Sequence, residues 1–176
     1  MIDKKTYMTI EEVGIGSRAD TVFIEVLRRL KQFNFVLLWG TALGLYRDGE
    51  LIPEDTDIDI AFPIFNGAEN IIKSIFSDYP LAIEKHLNND VQQLVYYPND
   101  VIIDLCFFYP NGEMYEYLDG LFTIKNKFIE DVTMHKTRQF GAVPIPTDIE
   151  DYLVETYGDD WHIPQHKKGK RNYEKS

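Results

Sequence analysis

Apolar positions along the chain switch between a helical and a strand rhythm. From Arg18 the residues Val22, Phe23, Val26, Leu27 and Leu30 recur on one helical face, with Arg28, Arg29 and Lys31 away from it. Asn34 ends that helix, and Phe35-Val36-Leu37-Leu38-Trp39 is an apolar run of strand length. Gly40-Thr41 follows at once, and residues 42–47 predict a short helix with Thr41 near its N-terminus. Asp48-Gly49-Glu50 is a turn, and Pro53 interrupts regular structure. Residues 56–62 alternate with a period of two, as a half-buried strand does.

The second half reads in the same way. Ile71, Ile72, Ile75 and Phe76 predict an amphipathic helix over 66–79. Strand-like runs cover 81–86, 91–97 and 101–109, separated by Asn88-Asn89-Asp90 and Pro98-Asn99-Asp100, which predicts an antiparallel meander. Further strands or loops run to Val143. Thr147-Asp148-Ile149-Glu150 has the form of a capping box, opening a helix through Tyr152, Leu153 and Tyr157 that Gly158 closes. The expected fold class is α+β, a mixed sheet flanked by helices, in one domain over 1–164. The segment 165–176 carries Lys167, Lys168, Lys170 and Arg171 with almost no apolar residues, and is expected to be a mobile basic tail.

Composition narrows the function. A length of 176 residues suits a single domain. A net charge of -11 argues against nucleic-acid binding through a basic face. An acidic protein can still take an anionic substrate where divalent cations sit between carboxylates and phosphates. The single Cys106 excludes an internal disulfide and a cysteine-based zinc cluster. No apolar run is long enough for a membrane span and no secretory signal opens the chain, so the expectation is a cytoplasmic protein with no integral membrane segment.

The chemistry concentrates between Trp39 and Phe62. Asp57 and Asp59 lie two apart on a strand, so they project from one face and can bracket divalent ions. Asp104 stands inside the apolar run Ile102-Ile103-Asp104-Leu105-Cys106-Phe107, a costly place for an acid unless it is paired or bound to metal. If its strand lies beside that of Asp57 and Asp59, the three carboxylates converge. Gly40-Thr41 lets backbone approach a ligand, and the first amides of the following helix form a small phosphate cradle to which Thr41 adds a hydroxyl. Arg47 can offer a bidentate contact to phosphate. Each feature has a plainer reading: a solvated Asp-x-Asp at a strand end, an ordinary Gly-Thr turn, a core acid satisfied by a neighbour, an Arg47 paired with Glu50 or Asp55. Their order along the chain is more specific than any one of them.

That order resembles the nucleotidyltransferase fold: Gly-Thr after a first strand, Asp-x-Asp on the next, a third acid on a later strand. Within it, Gly40-Thr41-Ala42-Leu43-Gly44, Arg47, Ile52-Pro53 and the acidic run ending in Asp57-Ile58-Asp59 resemble the LicD family. Bacterial phosphorylcholine transferases belong to that family, with fukutin and fukutin-related protein as relatives. A second block, Val143-Pro144-Ile145-Pro146, Tyr152-Leu153, Tyr157-Gly158-Asp159-Asp160-Trp161 and Pro164, resembles the family's closing segment. Where members often carry Trp and Asp in the acidic run, this chain has Glu54-Asp55-Thr56.

The resemblance implies a transferase that moves a phospho-alcohol group, phosphocholine or a phospho-alditol, from a CDP-linked donor to a sugar hydroxyl of a glycan or glycolipid acceptor, releasing CMP. Asp57, Asp59 and Asp104 would hold Mg2+ or Mn2+, Asp104 alternatively taking the acceptor proton, and Gly40, Thr41 and Arg47 would bind substrate. Two other outcomes stay open: a nucleotidyltransferase that uses an NTP and releases pyrophosphate, and a non-catalytic nucleotide-binding module. Tyr96, Tyr97, Phe107, Phe108, Tyr109, Tyr115 and Tyr117 are candidates for an aromatic cage around a quaternary ammonium, although most aromatics at strand spacing are core. Trp161 either stacks on cytosine or anchors the last helix.

Overall fold

The computed structural model describes residues 18–53, 55 and 57–164. The tail expected over 165–176 and the first 17 residues lie outside that range. Helix α1 (Arg18–Leu30) buries the stripe read from its spacing: Val22, Phe23, Val26, Leu27 and Leu30. The apolar run after it pairs over two residues only, as β1 (Val36–Leu37), and α2 (Trp39–Arg47) begins two residues later. The expected strand over 35–39 is therefore shorter. Trp39 takes a left-handed φ of 44°, uncommon for a bulky residue, and the Leu38 carbonyl accepts the Ala42 amide at 3.0 Å to open the helix.

Strand β2 (Asp57–Pro63) and helix α3 (Ala68–Ile75) follow. The helix is shorter than the expected 66–79, because Gly67 sits at φ 74° immediately before it and Phe76 leaves helical geometry after it. Then come β3 (Leu81–Leu87), β4 (Asp90–Tyr96) and β5 (Ile102–Asn111), which pair antiparallel as the meander reading requires. The remaining elements are β6 (Met114–Tyr117), β7 (Phe122–Lys125), α4 (Asn126–Glu130), β8 (Val132–Lys136), β9 (Ala142–Pro146) and α5 (Ile149–Tyr157).

The main sheet runs in the order β1-β2-β5-β4-β3, with β6 and β7 extending it from the end of β5, while β8 and β9 form a separate hairpin. All pairs are antiparallel except β2 with β5, so the sheet is mixed and the protein is α+β. Ile58, Ile60 and Phe62 share one sheet face with Ile103, Leu105 and Phe107. There Phe62 stacks on Phe107 at 5.5 Å and Phe76 meets Tyr96 at 5.2 Å. The opposite face carries Asp57, Asp59 and Ala61 beside Ile102, Asp104 and Cys106.

The capping box does not form. The residue before α5 is Asp148, no side chain caps the helix, the Thr147 amide donates to the Asp131 carbonyl at 2.7 Å, and Glu150 accepts the Tyr46 hydroxyl at 2.8 Å. Tertiary partners have taken both halves of the local motif. Gly158, at φ 91°, does close α5 and returns its amide to Val154. Among the described residues, no helix is long and apolar enough to cross a membrane.

Candidate active site

Asp59 and Asp104 are direct register partners on the parallel pair β2 and β5. Residues two apart on a strand share a face, so Asp57 lies on the same side. Asp59 is buried, and burial together with the charges of Asp57, Asp104 and Asp55 pushes its carboxyl up to about 8. No basic side chain among the described residues forms an ion pair with Asp57, Asp59 or Asp104.

Asp104 is handled differently. Burial raises its pKa, but Gln93 Nε2 donates to both carboxylate oxygens at 2.7 Å and the Cys106 thiol approaches one of them at 3.4 Å, which opposes the rise. Gln93 reaches it because β4 pairs with β5 in a register that sets Gln93 against Cys106 and Val95 against Asp104, so the Gln93 side chain lies on the aspartate face. Next to it β3 and β4 slip register between Lys85 and His86, with Gln92 as the extra residue. Gln92 in turn accepts the Leu118 amide at 3.0 Å. The sequence does not give the register of β4 on β5, and Gln93 was missed for that reason.

Helix α2 presents its first turn to the aspartates. The Trp39 amide donates to the Tyr152 hydroxyl at 2.8 Å, and the Thr41 hydroxyl accepts the Asp59 amide at 2.9 Å. Thr41 thus ties the helix start to the aspartate strand. Helix geometry leaves the amides of Gly40 and Thr41 without partners inside the helix. Gly40 serves a close approach: a Cβ there would lie 2.1 Å from Asp55 Oδ2. Gly44 does the same one turn on, where a Cβ would meet the Glu50 carbonyl and Ile52 at 2.8 Å. The Gly-Thr-x-Leu-Gly spacing lets the acidic loop lie against α2.

A cleft of about 490 Å³ opens here, with Gly40, Thr41, Asp55 and Asp57 in its wall. Arg47 is not among its lining residues; its guanidinium grips the Asp48 carboxylate at 2.9 and 2.6 Å. The closing segment packs on α2 from outside, with Trp161 against Tyr46 at 5.8 Å and His135 against the same ring at 5.2 Å. Of the cage candidates, Tyr96, Phe107, Phe108, Tyr115 and Tyr117 are buried in the core, Tyr109 donates to the Val91 carbonyl, and Tyr97 is exposed.

Oxygen donors alone suit a hard divalent cation such as Mg2+ or Mn2+. The raised Asp59 carboxyl and the absence of basic partners for Asp57, Asp59 and Asp104 among the described residues fit such an ion. Among the described residues, the triple whose ligating atoms all lie within 4.8 Å of one another is a different one, Glu69, Glu84 and His86. Lys73 already donates to Glu69 and Glu84 there, at 2.7 and 2.6 Å, so that triple is an ion-pair network. Glu84 is in register with Leu94 and Leu105, which places the network on the face opposite the aspartates.

A profile described as the LicD/FKTN/FKRP nucleotidyltransferase domain matches residues 32–147. The ribitol-5-phosphate transferase FKTN of Mus musculus is 27% identical, over 89% of this chain and 36% of that protein; the Homo sapiens protein is 26% identical over the same shares. The chain therefore spans only 36% of the length of these curated relatives. Among solved structures, ANT(2")-Ia in complex with adenylyl-2"-tobramycin superposes with a TM-score of 0.50 at 15% identity, covering 80% of this chain and 77% of that one. A Thermotoga maritima protein described as a nucleotidyltransferase gives a TM-score of 0.50 at 18% identity, with 85% and 88% covered. These likenesses establish the nucleotidyltransferase fold.

Proposed function

This chain belongs to the LicD/FKTN/FKRP family of nucleotidyltransferase domains, and from that premise we propose that it moves a phospho-alcohol group, phosphocholine or a phospho-alditol, from a CDP-linked donor to a sugar hydroxyl of a glycan. The observation that carries the reading is the pairing of Asp59 with Asp104 across parallel strands, beside the first turn of α2. Asp57, Asp59 and Asp104 would hold Mg2+ or Mn2+. Such an ion, when bound, neutralises the donor diphosphate and the charge developing on the transferred phosphoryl group.

The chain's own groups supply orientation. The Gly40 and Thr41 amides donate to a phosphate oxygen of the donor. Gln93 fixes the Asp104 carboxylate, from which a lone pair can accept the acceptor hydroxyl's proton. The acceptor oxygen forms a bond to phosphorus as the bond from phosphorus to the CMP oxygen breaks, and CMP leaves. The transfer as proposed needs no contact from Arg47, whose fork is engaged by Asp48.

A thermal-shift screen of CDP-choline, CDP-ribitol, CDP-glycerol, CTP and ATP, each with and without Mg2+, tests the reading. A ligand at about a hundred times its Kd adds about 2.7 kcal/mol of stability. The expected result is a metal-dependent shift with one CDP-linked donor, lost in Asp57→Ala and Asp59→Ala. A shift with CTP or ATP alone would replace this reading with nucleotidyl transfer and pyrophosphate release.

A further inference from the structure

The sheet face that carries Asp57, Asp59 and Asp104 continues across β4 onto the edge strand β3. Gln93 is the register partner of Cys106 on β5, and Lys85 is the register partner of Gln93 on β3. Directly opposed residues of an antiparallel pair share a face, and the bonds from Gln93 to Asp104 put Gln93 on the aspartate side. Lys85 therefore stands on that side too. It is the single Lys or Arg in strands β1 to β5. Lys85 is exposed and Asp104 is partly exposed, so a ligand on this face can reach both.

Neighbouring strands lie about 4.8 Å apart, which puts the Lys85 backbone ~10 Å from that of Asp104. The flexible four-carbon stem of a lysine covers much of that distance. The Lys85 charge does reach Asp104, where it works against the rise caused by burial. Other cations are engaged. Arg47 grips Asp48, Arg18 pairs with Asp100 at 2.6 Å, and Lys73 bonds Glu69 and Glu84 on the opposite face. Lys85 forms no ion pair with any described residue. Its position is also set apart from α2. The Thr41 hydroxyl meets the Asp59 amide on the edge of β2 away from β5, whereas β4 and β3 lie beyond β5. The first turn of α2 and Lys85 thus flank the aspartates from opposite sides.

We propose that Lys85 is a phosphate-binding residue, its ammonium donating to an oxygen of the phosphoryl group that is transferred, on the side away from α2. This rests on the donor reading above, which puts one donor phosphate on the Gly40 and Thr41 amides; the second then extends across the aspartates toward β3. A compact point charge on a flexible stem can follow that group as it passes to the acceptor. Lys85 takes the part that the sequence suggested for Arg47.

Calorimetric titration with CMP, CDP and pyrophosphate, each with Mg2+, tests it. CDP carries a second phosphate in the place of the transferred group, and CMP lacks it. Lys85→Met keeps the stem and removes the charge. It should weaken CDP and pyrophosphate about tenfold, the scale of one hydrogen bond to a charged group, and leave CMP within about twofold. Lys85→Arg should recover most of the loss, and Lys31→Met, at an exposed lysine beyond α1, should change none of the three. Equal weakening of all three by Lys85→Met would reduce Lys85 to a general field and overturn the contact. CDP binding that is lost in Asp59→Ala but unchanged in Lys85→Met would overturn the proposal and leave the donor reading standing. Pyrophosphate binding that Lys85→Met weakens, with CDP and CMP unbound, would uphold the lysine contact and overturn the CDP-donor reading. No binding of any of the three by the wild-type chain would overturn both.

Discussion

Asp59 and Asp104 occupy equivalent places on neighbouring strands, yet their surroundings prepare them differently. Asp104 accepts two bonds from Gln93, whereas Asp59 has Asp57, Asp104 and Asp55 as charged company among the described residues and is pushed up to about 8. An unfolded aspartate titrates near ~3.9. The folded chain therefore retains a proton that the unfolded chain has lost, so stability falls as pH rises between about 4 and 8 and levels off above that. Thermal unfolding in EDTA from about pH 5 to 9 should show this decline, and Asp59→Asn should flatten it. An unchanged slope in the variant would remove Asp59 as its source. If Asp104 holds the metal as proposed, Gln93→Leu should lower kcat about 10–100-fold, the usual cost of losing a supporting hydrogen bond to a metal ligand, with KM for the donor little changed. Of these residues the aspartates were legible from the sequence, Asp57 and Asp59 through strand alternation and Asp104 as an acid in an apolar run. Gln93 was not, because its access to Asp104 depends on the register of β4 against β5, which strand patterns do not give.

Helix α2 explains why two blocks far apart in the chain belong together. Its first amide goes to Tyr152, its Tyr46 hydroxyl to Glu150, and its Tyr46 ring to Trp161. Its two glycines receive the acidic loop, so their role is close packing and neither relies on a left-handed φ. Gly44→Ala puts a methyl against the Glu50 carbonyl and the Ile52 amide, which are backbone atoms that yield poorly. The expected cost is about 1–3 kcal/mol, read as a lowered midpoint in urea unfolding; a neutral effect would show that the loop can move aside. Helix periodicity and the meander were readable locally. The boundaries of β1, α2 and α3 were not, since an apolar run such as Phe35 to Trp39 does not reveal where a hydroxyl from Tyr152 will start a helix. The unformed capping box at Thr147 has the same origin, because Glu150 prefers a tertiary partner.

At the scale of the molecule, a chain with a net charge of -11 carries three acids at the site proposed for an anionic diphosphate. Without divalent cation the field of those acids would repel such a donor, and monovalent salt screens charges over ~10 Å at 0.1 M. Donor association in EDTA should therefore quicken as salt is raised from about 20 to 150 mM, measured by stopped flow; a rate that falls with salt would mean the cleft is locally positive. The parallel pairing of β2 with β5 is the feature that turns separate acids into one site, and strand patterns alone leave that adjacency open, because a parallel neighbour arrives through a long crossover.

Product analysis is the sharpest test of whether these aspartates serve transfer from a CDP-linked donor. Phosphorus NMR of the chain with Mg2+, a CDP-linked donor from the thermal-shift screen and a glycan acceptor should show CMP accumulating with a new phosphodiester, and neither product with Asp59→Ala. Pyrophosphate formed from CTP or ATP, or CMP release that persists in Asp59→Ala, would contradict the account.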